Sequence, residues 1–324
     1  MNKQNNIVAG LTLVSLICLI AAYFAPIWWV SLTAPNYPED AFPDGIRIHF
    51  HFDGVYNGCK AAGKGTRMAN EIIQKDLSHD DERYNPITDG KKDVNKGAEG
   101  LDCVHEMNTI NHYVGMFPIA SGAPVEKPLA KFFFGFFAVM MLAFAVPRKK
   151  PRLLVLAAGF AGVAAWMLVD QFVMGKLASH VAFYSAETAS FFNEPEKIKV
   201  WADNVDLISR LVIFGLIAVM AVVVAGVAKL RGFQLLLALV PGLLPLYFVV
   251  TYSAWLWFFG HNLHPWGAFT VKPFMPTVFG EGKVAQFSTY SYPYWGYGLL
   301  VVIFVCLMLA LLIRRKQLRE GGAE

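Results

Sequence analysis

Charge is what this sequence has least of. Only 16% of its 324 residues are Asp, Glu, Lys or Arg, against 56% hydrophobic and 14% aromatic. An average soluble domain carries about 25% charged residues, so the shortage excludes an ordinary soluble globule and points to lipid. Other signatures are missing too. There is no P-loop, no GxSxG elbow, no HExxH and no dinucleotide fingerprint, which removes the common nucleotide, hydrolase and zinc-protease classes. No CxxCH occurs, which excludes covalent c-type haem. The net charge of +4 offers no nucleic-acid surface, because the basic residues gather at the ends of apolar blocks.

Those blocks are the main feature present. They run to roughly 20 residues, the length that crosses a hydrocarbon core of about 30 Å. Six spans are predicted, at 7–30, 129–147, 153–175, 206–228, 234–259 and 294–313. Lys3 precedes the first, but its apolar run exceeds the roughly 7–15 residues of a signal core and no A-x-A site follows, so a retained signal-anchor is expected. RKKPR (148–152), Lys229, Arg231 and RRKQLR (314–319) lie on the same side as Lys3. Eleven Lys and Arg face only Glu320 and Glu324 there, which makes that side cytoplasmic. The expected fold is therefore an α-helical membrane protein of a bacterial-type inner (cytoplasmic) membrane, with six transmembrane helices and both termini cytoplasmic. A small mixed α/β domain, 31–128, lies between helices 1 and 2 and faces the periplasm or exterior. A five-helix membrane domain, 129–324, follows with outer loops 176–205 and 260–293.

All eight histidines, at 49, 51, 79, 105, 112, 180, 261 and 264, fall in the outer segments. Cys18 and Cys306 lie inside spans and read as small apolar fillers. Cys59 and Cys103 share the first outer segment, and in an oxidising compartment such a pair forms a disulfide. Closing that loop is worth about 4 kcal/mol in the chain-entropy model. The rival role for Cys103, two positions before His105, is thiolate ligation of copper. RIHFHFDGVYNG (47–58) alternates apolar Ile48, Phe50 and Phe52 with Arg47, His49, His51 and Asp53, and DG and NG supply turns, so a strand is expected. The stretch 76–100 is polar, lacks periodicity and reads as a long mobile excursion carrying His79.

CVHEMNTINHYVGM (103–116) concentrates potential ligands. On a helical wheel of about 100° per residue, His112 and Met116 fall within about 20° of His105, while Met107 lies opposite. Imidazole with thioether is a copper ligand set, thioether favouring Cu(I), whereas zinc more often recruits thiolate or carboxylate beside His. His49, His51, His105, His112 and Met116 are thus the candidate metal residues, with amphipathic packing and solvated strand histidines as the bland reading. His261 and His264 in FFGHNLHPW (258–266), with His180 near them, form a second tier for metal or an interfacial b-type haem. Trp255, Trp257 and Trp266 beside them suit an interfacial belt. Asp170 and Arg210 lie within spans at similar depth, where an unpaired charge is costly. A helix–helix clamp, or an Asp206–Arg210 pair at i, i+4, accounts for them structurally, and no chain of such groups continues toward the cytoplasm.

NHYVGM (111–116), preceded by APNYPEDAFPDGIRIHFHFDGVYNG (34–58), resembles a poorly characterised group of multi-span membrane proteins. That group carries a Tyr-Pro-Glu-type start, a β segment and an Asn-His-Tyr-Ile/Val-Gly-Met block, and is associated with nitrous oxide reductase gene clusters. The resemblance covers the outer domain and the first two spans; the last four spans agree only in topology. The insert 76–100, the Cys59/Cys103 pair and the HFH tripeptide depart from the pattern. The resemblance implies a role beside an extracytoplasmic copper enzyme of denitrification, with Asn111, Tyr113 and Gly115 as partner-docking positions around His112 and Met116.

The leading expectation is a membrane accessory or anchoring subunit for such a copper oxidoreductase, binding copper through outward His and Met. One alternative is a structural docking subunit of a membrane redox complex without its own metal. The other is a quinol-linked redox enzyme subunit, for which the sequence houses few cofactor ligands.

Overall fold

A computed structural model of the chain describes residues 3–37, 39, 42–59, 102–119, 122–192, 194–268, 270–284 and 286–321. The polar stretch 76–100, with His79, lies outside the described residues.

The first helix, α1 (Lys3–Phe24), stops before Pro26. Proline lacks the helical N–H and disfavours helix in the residue before it. The apolar run predicts that the first span continues to residue 30, but Trp28–Thr33 is strand β1. WWVSLT is aromatic and β-branched, and those side chains suit a pleated, half-buried surface. Strand β2 (Ile46–His51) and β3 (Gly54–Asn57) form a hairpin. The predicted alternation is present, with Ile46 and Ile48 fully buried and Arg47 and His49 half-buried on the opposite face.

The remaining elements are α2 (Cys103–Tyr113), α3 (Glu126–Ala145), α4 (Lys149–Leu168), α5 (Lys176–Phe191) and α6 (Pro195–Lys229), then α7 (Leu236–Gly242) and α8 (Leu244–His261). Strands β4 (Gly280–Val284) and β5 (Phe287–Pro293) and the last helix, α9 (Trp295–Arg319), complete the order. The five strands pair antiparallel in the order β3-β2-β1-β5-β4. The sheet therefore draws on two parts of the chain far apart in sequence, Trp28–Asn57 and Gly280–Pro293. Its central strand leaves α1 and its neighbour β5 enters α9, and these two helices make the most extensive helix contact among the described residues.

The inner face of the sheet rests on the helices. Trp28 is buried against Phe248, Tyr252 and Tyr297, and its indole N–H donates to Ser291 Oγ at 2.9 Å. Helix α2 covers β2 with Cys103, Val104, Met107 and Ile110 buried, an i, i+1, i+4, i+7 face. Cys59 and Cys103 are joined by a disulfide, with Cα atoms 6.0 Å apart.

The molecule is mostly helical, with a small sheet domain and several helices suited to a membrane. Among the described residues α1, α3, α4 with its following turn, α6 and α9 are long and apolar enough to cross one. The predicted span 234–259 is broken: a short 3₁₀ turn and α7 meet α8 at a 55° bend. Pro241, Gly242 and Pro245 crowd that break. Within the segment 176–205, expected as an outer connection, α5 and the first turns of α6 are helical. Its α6 has 35 residues, about 52 Å at 1.5 Å per residue, so it outreaches a bilayer core of about 30 Å.

The two charges expected within spans, Asp170 and Arg210, are paired, but not with each other. Asp170, in a π-helical turn at Val169–Val173, meets Lys131 Nζ at 2.7 Å and accepts from Gln171 at 2.8 Å. Arg210 takes the i, i+4 partner Asp206 at 2.6 Å and lies over the Phe172 ring. At the far end of the helices Arg314, 1% exposed, donates to Asn5, Gln317 and the Phe144 carbonyl, which ties α1, α3 and α9 together.

Candidate functional site

The block NHYVGM is the end of a helix. Asp102 caps the start of α2, its Oδ1 accepting from the Val104 and His105 N–H groups at 3.0 Å each, as a good N-cap residue does. At the other end Gly115 takes φ +81°. Its N–H reaches the His112 carbonyl at 2.9 Å, and the Met116 N–H reaches Asn111 at 2.8 Å. These two bonds are the Schellman pattern, which calls for glycine at the left-handed position.

That turn is docked to the segment that follows α8. The Gly115 carbonyl accepts from the His264 N–H at 2.7 Å, and the Tyr113 carbonyl accepts from Ala268 at 2.8 Å. A Cβ on Gly115 would lie 2.5 Å from the His264 carbonyl oxygen. The two ligand-rich strings of the sequence, 103–116 and 258–266, therefore meet through their backbones.

A third segment joins them. Phe192 lies between the rings of His112, at 5.0 Å, and His264, at 4.2 Å and 19°. His264 is 7% exposed and both of its ring nitrogens are engaged. Nδ1 accepts from the Trp266 N–H at 3.1 Å, which assigns the proton to Nε2, 2.9 Å from Glu194 Oε2. Glu194 is held below the usual carboxylate range by Lys197 first and then by His264. Periodicity gives no hint of Phe192 or Glu194; only FNEP before a long helical run marks a turn there.

The candidate ligands are distributed rather than gathered. His49 stacks on Tyr294 at 5.1 Å and its Nε2 accepts from Arg47 at 3.2 Å, on the outer face of the sheet. Burial, with Arg47 and His51 nearby, pushes its pKa down to about 4. His51 packs on Tyr56 at 4.4 Å, and burial lowers its pKa as well. His105 is exposed on the first turn of α2. The wheel predicts Met116 in one stripe with His105 and His112. The turn at Gly115 ends the helix first and sends Met116 into an apolar cluster with Val114 and Phe259. His180 Nε2 bonds the Pro124 carbonyl at 2.7 Å, with its pKa lowered by burial. His261 Nδ1 bonds the Trp257 carbonyl at 2.8 Å and its ring lies on the Trp257 indole. Tyr113 is 50% exposed.

Among the described residues no three His, Cys, Asp or Glu side chains are grouped so as to hold a metal ion. His264 has no free ring nitrogen, Phe192 separates it from His112, and Cys103 is consumed by the disulfide. The donor set as arranged does not fit a shared copper ion. What the structure does bring together is His51, Asn111 and Met116, which line one cavity.

The outer face of the sheet is different in character. Arg47 lies over the Trp29 ring at 4.2 Å and near Tyr294 at 5.5 Å, and Trp29 stacks obliquely on Tyr292. Beside them a groove of about 660 Å³ is lined by Trp29, Tyr37, Arg47, Lys283 and Tyr290 among others. No protein-family model matches the chain, and neither curated proteins nor solved structures give a significant match to it.

Proposed function

We propose that the protein is a membrane accessory or anchoring subunit whose outer cap docks an extracytoplasmic oxidoreductase. In this reading the bent pair α7–α8 counts as one span, which makes six. Both termini are cytoplasmic by the distribution of Lys and Arg, and the sheet faces the periplasm of a bacterial-type inner membrane. The observation that carries the reading is the cluster of Trp29, Arg47, Tyr292 and Tyr294 on the outer sheet face, beside an open groove. Tyr, Trp and Arg are the residues that dominate protein–protein interfaces. The backbone lock between Gly115 and His264 supports it, because it joins separate outer segments into one platform. The resemblance of the 111–116 block supplies the class of partner, a copper enzyme of the nitrous-oxide-reductase type.

Docking takes precedence over copper ligation because the five candidate ligands do not gather as one set: His49 lies on the outer sheet face, His105 is exposed on α2, and His51 and Met116 line a cavity apart from them. The test is co-elution. Full-length protein purified from membranes should retain the copper oxidoreductase, and Trp29→Ala with Arg47→Ala should release it while the fold survives. In parallel, Cu(I) loading of the wild type beside His112→Ala/Met116→Ala should show no difference in bound copper. Copper lost in the variant would favour the metal-handling role instead, and absence of the oxidoreductase from the wild type would overturn docking.

A further inference from the structure

A cavity of about 130 Å³ lies between the β2–β3 hairpin, the 116–127 segment and the outer half of α8. Its walls are mostly apolar and rich in aromatic rings, including Phe117, Phe248 and Trp255. A cavity of about 150 Å³ takes benzene, and this one, only slightly smaller at about 130 Å³, is on the scale of a single six-membered ring.

Polar groups are few and placed at the wall. Asn111 is 8% exposed, and its Nδ2 finds no hydrogen-bond partner among the described residues. A buried donor left unmade costs about 1–3 kcal/mol, which marks a place where an acceptor belongs. Glu126 also lines the cavity; its carboxylate receives the Trp255 indole N–H at 3.1 Å and keeps further acceptor capacity. His51, Lys127, Tyr247, Thr251 and Tyr252 complete the polar lining.

Access comes from the membrane. Tyr247 lines the cavity near the start of α8 and is 39% exposed, and its helix neighbours Leu246 and Val250 are exposed and apolar. Helix α3 packs on α7, and beyond the 55° bend the cavity lies between α3 and α8. A ligand with a flat polar ring and an apolar tail fits such a place.

We infer that this cavity binds the head group of a lipid-soluble quinone or quinol. Asn111 Nδ2 donates to a ring oxygen, Glu126 accepts from a quinol hydroxyl, and the aromatic walls cover the ring faces. The tail leaves past Tyr247 into lipid. Only binding is inferred, and it does not rest on the docking of a partner protein.

The test uses full-length protein in nanodiscs, titrated with decylubiquinone and, separately, with decanol as the same tail without the ring. Wild type should bind decylubiquinone saturably and decanol far more weakly. Asn111→Leu should weaken quinone binding about tenfold, the loss of one hydrogen bond. Leu256→Trp, which enlarges a side chain at the cavity wall, should abolish it while the protein elutes as a folded species. Organic extraction of the purified wild type should also release quinone that the Leu256→Trp protein lacks. Non-saturable uptake, equal binding by the wild type and both variants, or equal affinity for decanol would overturn the inference, the last leaving an acyl-chain pocket only.

Discussion

The Gly115 carbonyl accepts the His264 N–H at 2.7 Å, with the glycine at φ +81° and no room for a Cβ against the His264 carbonyl. Together with the Ala268 N–H bond to the Tyr113 carbonyl, it fastens the end of α2 to the segment leaving α8. Gly115→Ala meets both a left-handed backbone and a blocked approach, so it should cost about 1–3 kcal/mol. A lower melting temperature in detergent, with faster proteolysis near Trp266, checks this. Unchanged melting would show that the two segments do not depend on this joint.

The disulfide should be quantitative. Mass spectrometry after alkylation of the unfolded, unreduced protein should count two thiols, Cys18 and Cys306, and four after reduction. Cys59→Ser should destabilise the cap by about 4 kcal/mol on the loop-closure estimate.

Acid should loosen the sheet. Folded His49 takes up a proton only near pH 4, while the unfolded chain does so near its ordinary value of 6.5. Between these values the unfolded state binds more protons, so stability falls as pH drops through the window and is unaffected above it. Melting measured from about pH 7 down to about pH 4.5 should show this fall, and His49→Gln should flatten its slope. The same slope in the variant would assign the effect to other groups.

How much of the fold is legible in the sequence differs by element. Apolar blocks show themselves by length, so the helices that suit a membrane stand out. Strand β2 shows itself by strict alternation. Strand β1 does not, because its Trp28, Trp29 and Val30 continue the apolar run of α1 and only Pro26 marks the change. FSTYSYP (287–293) carries a strand signal, but its pairing with β1 joins residues some 260 positions apart, which no local pattern contains. The wheel sets Met107 opposite His105, and that face is the buried one, yet the wheel extends the helix past Gly115 and so puts Met116 on the wrong side. Phe192 and Glu194 are invisible because their role comes from tertiary packing alone.

Lys131 is equally hidden, although it is the partner of Asp170. Lys131→Met leaves a carboxylate in an apolar layer, and breaking such a pair costs about 3 kcal/mol. Lys131→Met combined with Asp170→Leu should recover more than half of that loss. A double-mutant cycle of melting temperatures checks it, and additive losses would mean the two groups act separately.

The most direct test of the docking account is a photocrosslinker placed at Tyr292, on the outer sheet face beside Trp29. A second protein carries it at Leu211, an exposed apolar position within α6. Illumination of membranes that contain the copper oxidoreductase should join it to the Tyr292 position and not to Leu211. Crosslinks from neither position, or equally from both, would contradict a docking surface on the sheet.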